Sequence, residues 1–311
     1  MSHATVSVVP DGALVYGMQL PVQALSIMTS MPWEREGTGP VELLAAAQAA
    51  DAAGFFYVAV CDHIAIPRDK AETMSTTWFH PVATLAWLAA QTERVRLMTN
   101  VLVPAYRHPL ETAKAFATLD TLSNGRVILG VGAGHVEGEF DALGIPFAAR
   151  GRITDDAVDG IITSWLQEYV DGVGLAPRPV QTPRPPVWIG GSSKPALRRV
   201  AARGDGWIPQ GTPRKLMPES IAYVHAQRDE VRPGATFDIG VITELIYVGE
   251  PDWDTPKYSL TGSAERIADS LNEYGAMGVS HLQLRFASRS IEELCDQIAR
   301  FGEEVGPHLT R

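Results

Sequence analysis

The chain is poor in cysteine and has no long apolar run. Its 311 residues include two cysteines, Cys61 and Cys295, which are too few for a disulfide framework and fit a reducing compartment. No stretch of about 18 apolar residues is present, so no membrane span is expected. The stretch 1–12 lacks a basic start followed by an apolar core, so no secretory signal is predicted. These absences predict a cytoplasmic protein.

Positive charge is also scarce. The chain has 26 Lys and Arg against 36 Asp and Glu, which gives a net charge of −10 and a pI of about 5.3. This acidic balance argues against nucleic acid as a main partner. No internal repeat or low-complexity tract is evident. The length allows one large α/β barrel or two ordinary domains.

The stretch 118–147 is the part of the chain with the clearest pattern. Leu119 and Leu122 are spaced as on the apolar face of a helix, and Gly125 suits a left-handed helix cap. Val127–Val131 is apolar on both faces, which is typical of a buried parallel strand. Gly132-Ala133-Gly134 then carries no side chain larger than a methyl group. Crowding at a barrel mouth and close approach of a flat cofactor ring explain this run equally well.

This glycine run does not match a dinucleotide fingerprint. That motif has Gly-x-Gly-x-x-Gly opening directly into a helix within the first βαβ unit. Here the glycines are Gly130, Gly132 and Gly134 in the fourth strand, and an acidic insertion follows. A Rossmann fold is therefore not expected.

Strands and helices alternate along the whole chain. Strands are predicted at 14–20, 55–60, 95–103, 127–131, 187–189, 207–209, 237–248 and 280–286. Helices are predicted at 41–53, 81–92, 110–122, 154–170, 195–203, within 210–235, from about 262 to 274, and at 291–301. Strict alternation implies a parallel sheet. Eight units at this length predict an α/β fold of the (β/α)8 TIM-barrel type, with residues 1–311 forming one domain.

In such a barrel the active site lies on the loops that follow the strands. Most of the unusual polar residues of the chain fall in those loops, which are Cys61-Asp62-His63, Asn100 to His108, Gly132 to His135, Gly190 to Ser193, and Arg285 to Ser288. The site is therefore expected at one end of the barrel.

Two of these loops have specific chemical interpretations. Gly190-Gly191-Ser192-Ser193 lies between a strand and a helix, so its backbone N–H groups and two hydroxyls could bind a phosphate, although Ser192 or Ser193 could equally cap the helix. His63 can donate or accept a proton near neutral pH, and Asp62 could act with it or cap a turn. Cys61, Asp62 and His63 are consecutive and cannot all reach one ion, so no metal site is predicted.

Arg107 and His108 precede the third helix. Pro109 suits the first position of that helix. The two side chains before it could simply be solvated.

The order of these motifs resembles a known family. TLDTLSNGRVILGVGAGHVEGEFDALGIPFAARGRITDD, starting at Thr118, is similar to the signature of the luciferase-like flavin and deazaflavin oxidoreductases. TNVLVPAYRHPLETAKAFATLDTLS, VCDHIAIP, VWIGGSSKPALRRVAARGDGWIP and TGSAERIADSL match in the same order over nearly the whole chain. The resemblance implies a (β/α)8 barrel with an insertion at about 210–260, usually as a homodimer, and a flavin-type ring at the C-terminal mouth.

The resemblance also assigns expected roles. His63 and Asp62 match the catalytic histidine and the acid before it. Asn100-Val101 matches the position of a non-proline cis peptide bond behind the ring. The expected cofactor-binding residues are Asn100, Val101, Gly132, Ala133, Gly134, His135, Gly190, Gly191, Ser192 and Ser193.

The pattern is closer to the branch that uses coenzyme F420. The expected activity is hydride transfer between this deazaflavin and a small organic substrate. The alternatives are a two-component monooxygenase that uses reduced FMN and oxygen, and a non-catalytic cofactor-binding subunit. A flavin or F420 reductase could supply reduced cofactor.

One departure from the branch bears on the substrate. His135 stands where the sugar-phosphate dehydrogenases of the branch have a glutamate, and the cationic residues that bind a sugar phosphate are not evident. Sugar-phosphate oxidation is therefore not expected.

Overall fold

Parallel strands form the centre of the structure, a computed structural model that describes residues 5–26 and 30–311. The strands are β1 (Val15–Gln19), β2 (Tyr57–Val60), β3 (Arg96–Thr99), β4 (Val127–Val131), β5 (Tyr169–Val170), β6 (Val173–Gly174), β7 (Val187–Gly190), β8 (Gly206–Ile208), β9 (Asp238–Val248), β10 (Leu260–Gly262) and β11 (His281–Phe286). In the described residues, β9, β11, β1, β2, β3, β4, β7 and β8 pair in that order, and β8 pairs back with β9. The predicted closed parallel (β/α)8 barrel is confirmed.

Helices surround this barrel. They are α1 (Pro40–Ala52), α2 (Ala71–Met74), α3 (Pro81–Ala89), α4 (Pro109–Leu122), α5 (Glu137–Ala142), α6 (Arg150–Leu166), α7 (Lys194–Arg203), α8 (Met217–Val231), α9 (Ala264–Ala276) and α10 (Ile291–Arg300). The short helices α2 and α5 were not predicted from the sequence. Residues 1–4 and 27–29 lie outside the described residues. The insertion at about 210–260 stays a prediction; that segment contains α8 and the long strand β9.

The predicted helix at 154–170 was wrong at both ends. It begins at Arg150 and ends at Leu166, and β5 and β6 then form a small antiparallel hairpin. Asp171 and Gly172 at its tip have φ values of 50° and 80°. A two-residue hairpin turn of type I′ needs positive φ at both positions, and Asp-Gly is a favoured pair there.

The end of the barrel where the strands begin is closed by the segment that precedes β1. The backbone N–H groups of Val6 and Val8 donate to the carboxylates of Asp205 and Asp238 at 3.0 and 3.1 Å. Val9 is buried with interior residues of the barrel. Access to the barrel interior is therefore from the end where the strands finish.

Aromatic rings fill the middle of the barrel. The rings of Trp188 and His281 stack with centroids 4.0 Å apart, and Tyr57 packs edge-on against both. Burial lowers the pKa of His281 to about 3, so this histidine is a neutral core residue.

In the part of the chain that the structure describes, no helix has the length and apolarity needed to cross a membrane.

Candidate active site

The carboxylate of Glu139 joins the loops that follow β2, β3 and β4. Its Oε1 accepts hydrogen bonds from the backbone N–H groups of Ile64 and Ala65 at 2.7 and 3.2 Å. Its Oε2 lies 2.6 Å from Nδ1 of His63 and accepts from the hydroxyl of Tyr106 at 3.1 Å. The side chain is fully buried. Four donors thus surround a carboxylate that has no access to water.

This environment keeps Glu139 ionised. Burial by itself would raise the pKa of the carboxyl group, but the hydrogen bond from His63, the positive charge that His63 has when both its nitrogens are protonated, and the two backbone N–H groups outweigh it and lower the pKa. Burial and the charge of Glu139 raise the pKa of Tyr106, so its hydroxyl remains a donor. An ionised carboxylate can only accept hydrogen bonds. His63 must therefore carry a proton on Nδ1, and its Nε2 is the nitrogen left to exchange a proton with a ligand.

His63 lies between two other rings at the mouth. Its ring centroid is 4.2 Å from that of Trp78 and 5.7 Å from that of His135. The side chain of His63 is 11% exposed, so the ring is held in place while an edge remains accessible. His135 is exposed at the mouth, and desolvation by the surrounding atoms, followed by the charge of His63, lowers its pKa.

Asp62 has both carboxylate oxygens occupied by partners. Nη1 and Nη2 of Arg107 donate to them at 2.6 and 2.7 Å, and the backbone N–H of Val103 donates at 2.9 Å. The interpretation of Arg107 as a solvated side chain was therefore wrong, because it forms a two-pronged ion pair with a buried partner. This geometry gives Asp62 a positioning task between the loops after β2 and β3. Its direct catalytic role stays a prediction.

His108 has a local structural role. Its Nδ1 accepts a hydrogen bond from the backbone N–H of Leu110 at 3.2 Å, which caps the start of α4.

The Asn100–Val101 peptide bond is cis, as predicted. Val101 packs into space left by two glycines of the neighbouring strand ends. A Cβ at Gly132 would lie 2.5 Å from Cγ2 of Val101, and a Cβ at Gly190 would lie 2.7 Å from Cγ1. Gly132 and Gly190 are therefore needed for packing within the protein. Val101 remains partly exposed.

Gly134 and Ala133 complete the end of β4. Gly134 has a φ of 78°, and a Cβ there would lie 2.8 Å from the ring of Phe140. Ala133 is partly exposed. The predicted contact of this segment with a cofactor ring stays a prediction.

The turn after β7 is shaped by local hydrogen bonds. Gly191 has a φ of 109°. The hydroxyl of Ser193 accepts from the N–H of Ala196 at 3.4 Å and caps α7, so the helix-cap interpretation is confirmed for this residue. The Ser192 hydroxyl lies 2.5 Å from that of Thr212 and bonds both ways with the backbone of Gln210. Phosphate binding at this turn stays a prediction.

Uncharged amide side chains form the floor of the mouth. Nε2 of Gln210 donates to Oδ1 of Asn100 at 3.3 Å, and Nδ2 of Asn100 donates to Oε1 of Gln283 at 2.7 Å. Gln283 is 1% exposed, and its Nε2 has no hydrogen-bond partner among the described residues. A buried donor without a partner fits a site that receives an acceptor from a ligand.

A small pocket lies between the ends of β1 and β11. It encloses about 50 Å³ and is lined among others by Gln19, Trp33, Arg285 and Ser288. Glu34 also lines it; burial raises the pKa of this carboxyl group, against hydrogen bonds from the N–H groups of Met31 and Val22.

Cys61 lies at the end of β2, next to Asp62. Burial raises the pKa of the Cys61 thiol to about 12, so the residue is not a ready nucleophile. In residues 5–26 and 30–311, no group of three or more His, Cys, Asp or Glu side chains could hold a metal ion.

Residues of this site that were not predicted from the sequence include Glu139, Tyr106, Gln210 and Gln283. Glu139 lies in the GHVEGEF motif, but Glu137 two residues earlier has the same side chain and is exposed. Only the approach of the neighbouring loops distinguishes the two carboxylates.

Residues 25–255 match the family model described as luciferase-like monooxygenase. An F420-dependent glucose-6-phosphate dehydrogenase of Beutenbergia cavernae is 35% identical over 235 residues, which cover 70% of this chain and 67% of that protein.

Two solved structures share the fold. Monooxygenase RslO1 from Streptomyces bottropensis superposes with a TM-score of 0.78 at 22% identity, over 95% of this chain and 99% of that one. An F420-dependent secondary alcohol dehydrogenase, solved with an F420–acetone adduct, superposes with a TM-score of 0.75 at 18% identity, over 96% and 99% of the two chains.

The packing of Val101 against Gly132 can be tested by a double-mutant cycle. We expect Gly132→Ala to lower the free energy of unfolding by about 1–3 kcal/mol, since the added methyl group overpacks the strand end. Val101→Ala removes the methyl groups that the new side chain at position 132 would meet. The double variant should therefore lose less free energy of unfolding than the two single variants lose together. Urea unfolding of the four proteins measures this coupling. Strictly additive effects would contradict the packing.

The ionised state of Glu139 predicts a pH-dependent loss of stability. A carboxyl group whose pKa is lower in the folded chain stabilises the fold above its unfolded pKa, here the ordinary value of 4.5, and loses that contribution as the pH falls through the folded pKa. We expect Glu139→Gln to cost about 2 kcal/mol or more near neutral pH, because buried donors lose their acceptor. The difference from the native protein should shrink below pH 4.5.

Urea unfolding between about pH 3 and pH 7 checks this expectation. Glu137→Gln, an exposed change on the same helix, is the matched control and should leave the unfolding curve nearly unchanged at all pH values. A Glu139→Gln penalty that is constant across this range would show that the carboxyl group is not ionised in the fold.

Proposed function

Since this chain belongs to the luciferase-like monooxygenase family, we propose that it is an F420-dependent oxidoreductase that transfers a hydride between the deazaflavin ring and a small organic substrate. The chain is a flavin- or deazaflavin-dependent oxidoreductase. The F420-dependent relative from Beutenbergia cavernae, 35% identical, supports the deazaflavin as cofactor.

The observation that carries the proposal is the buried pair of His63 and Glu139. Hydride transfer to or from a carbon–oxygen bond moves a proton on the oxygen, so the enzyme needs a group that holds that proton. The Nδ1–H of His63 donates to the carboxylate of Glu139, which also accepts from three further donors. Nε2 is therefore the nitrogen of His63 that is left to exchange a proton. The positive charge that His63 gains with a second proton would be stabilised by Glu139 at 2.6 Å.

The cofactor, when bound, supplies hydride chemistry, and the residues of this chain position it. Asn100, Val101, Gly132, Ala133, Gly134 and His135 would lie along the ring. Gly190, Gly191, Ser192 and Ser193 would bind the phosphate at the start of α7, where N–H groups and the helix dipole favour an anion. The unpartnered amide of Gln283 and the partly exposed Val101 fit a flat ring with carbonyl groups.

The substrate is proposed to be small and not a sugar phosphate. His135, and not a glutamate, follows the glycines of β4 and contacts His63 edge-on. The pocket between the ends of β1 and β11 is small, and Trp33 contributes to its wall. Its lining residues from the loop before α1 would contribute most of the selectivity.

The remaining expectations are part of the same proposal. The protein would act in the cytoplasm as a homodimer, and a separate F420 or flavin reductase would supply reduced cofactor. The net charge of −10 argues against nucleic acid as a partner.

A cofactor titration followed by two assays tests the proposed function. The protein is titrated with F420 and with FMN by fluorescence. It is then assayed for reduction of F420 with a panel of primary and secondary alcohols, and for oxygen uptake with reduced FMN. We expect tighter binding of F420 and alcohol-dependent reduction. Preferential binding of FMN with oxygen uptake would favour the monooxygenase instead. Tight binding without any turnover would favour a non-catalytic subunit.

His63→Ala separates catalysis from cofactor binding. We expect its kcat to fall by about 100-fold or more, since a positioned acid–base group is lost. The dissociation constant of the cofactor should change little. Stopped-flow reduction and fluorescence titration measure the two quantities. His308→Ala, at an exposed position near the end of the chain, is the control and should change neither. Equal losses of kcat and binding would refute this role for His63.

A further inference from the structure

The amide nitrogen of Gln283 is a buried polar atom of the floor that has no hydrogen-bond partner among the described residues. Oε1 of the Gln283 side chain accepts from Nδ2 of Asn100 at 2.7 Å, which fixes the orientation of the amide plane. Its Nε2 has no acceptor among the residues that the structure describes, although the side chain is 1% exposed. A buried donor without a partner costs about 1–3 kcal/mol, so its position calls for an acceptor.

The hydrogen bonds of this floor all run in one direction. Gln210, exposed at the rim, donates to Asn100, and Asn100 donates to Gln283. If the amide of Gln283 were reversed, its Nε2 would face Nδ2 of Asn100, and two donors would meet. Reversing Asn100 as well would place its Nδ2 against Nε2 of Gln210. Only a concerted reversal of all three amides would keep both hydrogen bonds, and in the orientation of the structure the chain of donors ends at Nε2 of Gln283.

The position of this donor relates it to the expected cofactor ring. Asn100 directly precedes Val101, whose side chain lies against Gly132 and Gly190 at the adjacent strand ends. Gln283 lies on β11, on the other side of the barrel opening, with Gly17 of β1 and Ile242 of β9 as its neighbours in the sheet. A flat ring resting on Val101 would extend over the floor toward Gln283.

The chemistry of the floor favours an uncharged acceptor. Gln210, Asn100 and Gln283 carry no charge, and burying a carboxylate against such groups costs more than burying a carbonyl oxygen. We propose that Nε2 of Gln283 donates a hydrogen bond to a ring carbonyl oxygen of the bound flavin or deazaflavin. This inference rests on the proposed function for the presence of the cofactor. It adds a binding residue on β11, far in sequence from the glycine-rich motifs.

Gln283→Glu isolates the donor with little change in shape. A glutamate keeps one oxygen to accept from Asn100 and replaces the donating Nε2 with a second acceptor. Gln283→Leu removes both. Gln48→Glu makes the same chemical change on the exposed side of α1 and is the matched control. Thermal unfolding of the cofactor-free proteins checks that each variant is folded.

Fluorescence titration at about pH 8, where an ordinary glutamate is ionised, measures the dissociation constants of F420 and FMN. We expect Gln283→Glu to raise the dissociation constant of the preferred cofactor about tenfold or more, because one hydrogen bond to a buried group is lost. Gln283→Leu should weaken it in the same direction, and Gln48→Glu should match the native protein.

Infrared difference spectra with carbonyl-labelled FMN report the bond directly. A ring carbonyl band of FMN bound to the native protein should shift to higher frequency in both Gln283 variants, since the oxygen loses a donor. Unchanged bands and unchanged affinity in folded variants would overturn the inference and leave a buried water as the partner of Nε2. Failure of the native protein to bind either cofactor would overturn the proposed function and the inference together.

Discussion

The carboxylate of Glu139 is the constraint on which the site depends. A fully buried carboxylate is tolerated only if its charge is matched by donors, and here the donors come from loops that follow β2 and β3. The position of His63 is thus coupled to the position of α5. Asp62 and Arg107 make a second connection between the loops after β2 and β3, so the histidine is held from two sides.

The glycines at the ends of β4 and β7 are crowded by side chains of the protein itself, which is one of the two explanations that the sequence offered for the run after β4. Gly132 and Gly190 leave room for the side chain of Val101, and Gly134 makes room for Phe140. Small residues here admit neighbouring protein atoms, and Val101 is partly exposed. Crowding and cofactor approach are compatible, because a valine fixed in this way can form a firm wall for a ring.

The barrel could be predicted because strand and helix patterns alternate eight times and each is local in sequence. The cis bond at Asn100–Val101 was predicted through the family resemblance alone. The hairpin at Asp171-Gly172 had a local signal, the Asp-Gly pair, but proline and glycine in the following linker obscured it.

The site itself was predicted only in part. Glu139 and Glu137 are alike in sequence and opposite in burial, and the difference depends on loops more than 70 residues away. Gln283 is bonded to Asn100 across 183 residues, so no pattern near either residue indicates the pair. Local sequence identified the strand ends that carry chemistry. The hydrogen bonds that give each side chain its task are long-range and depend on closure of the barrel.

The mouth divides into two electrostatic regions with different consequences. Around His63 the groups are ionised or able to ionise, and burial strengthens their interactions. Across the floor, Gln210, Asn100 and Gln283 are neutral and form a directed set of hydrogen bonds. Under the proposed function, the neutral floor would polarise a carbonyl group of the ring without competing for the proton that His63 would exchange. The two proposed tasks would then depend on different strands of the barrel, with ring binding at the floor and proton exchange at His63.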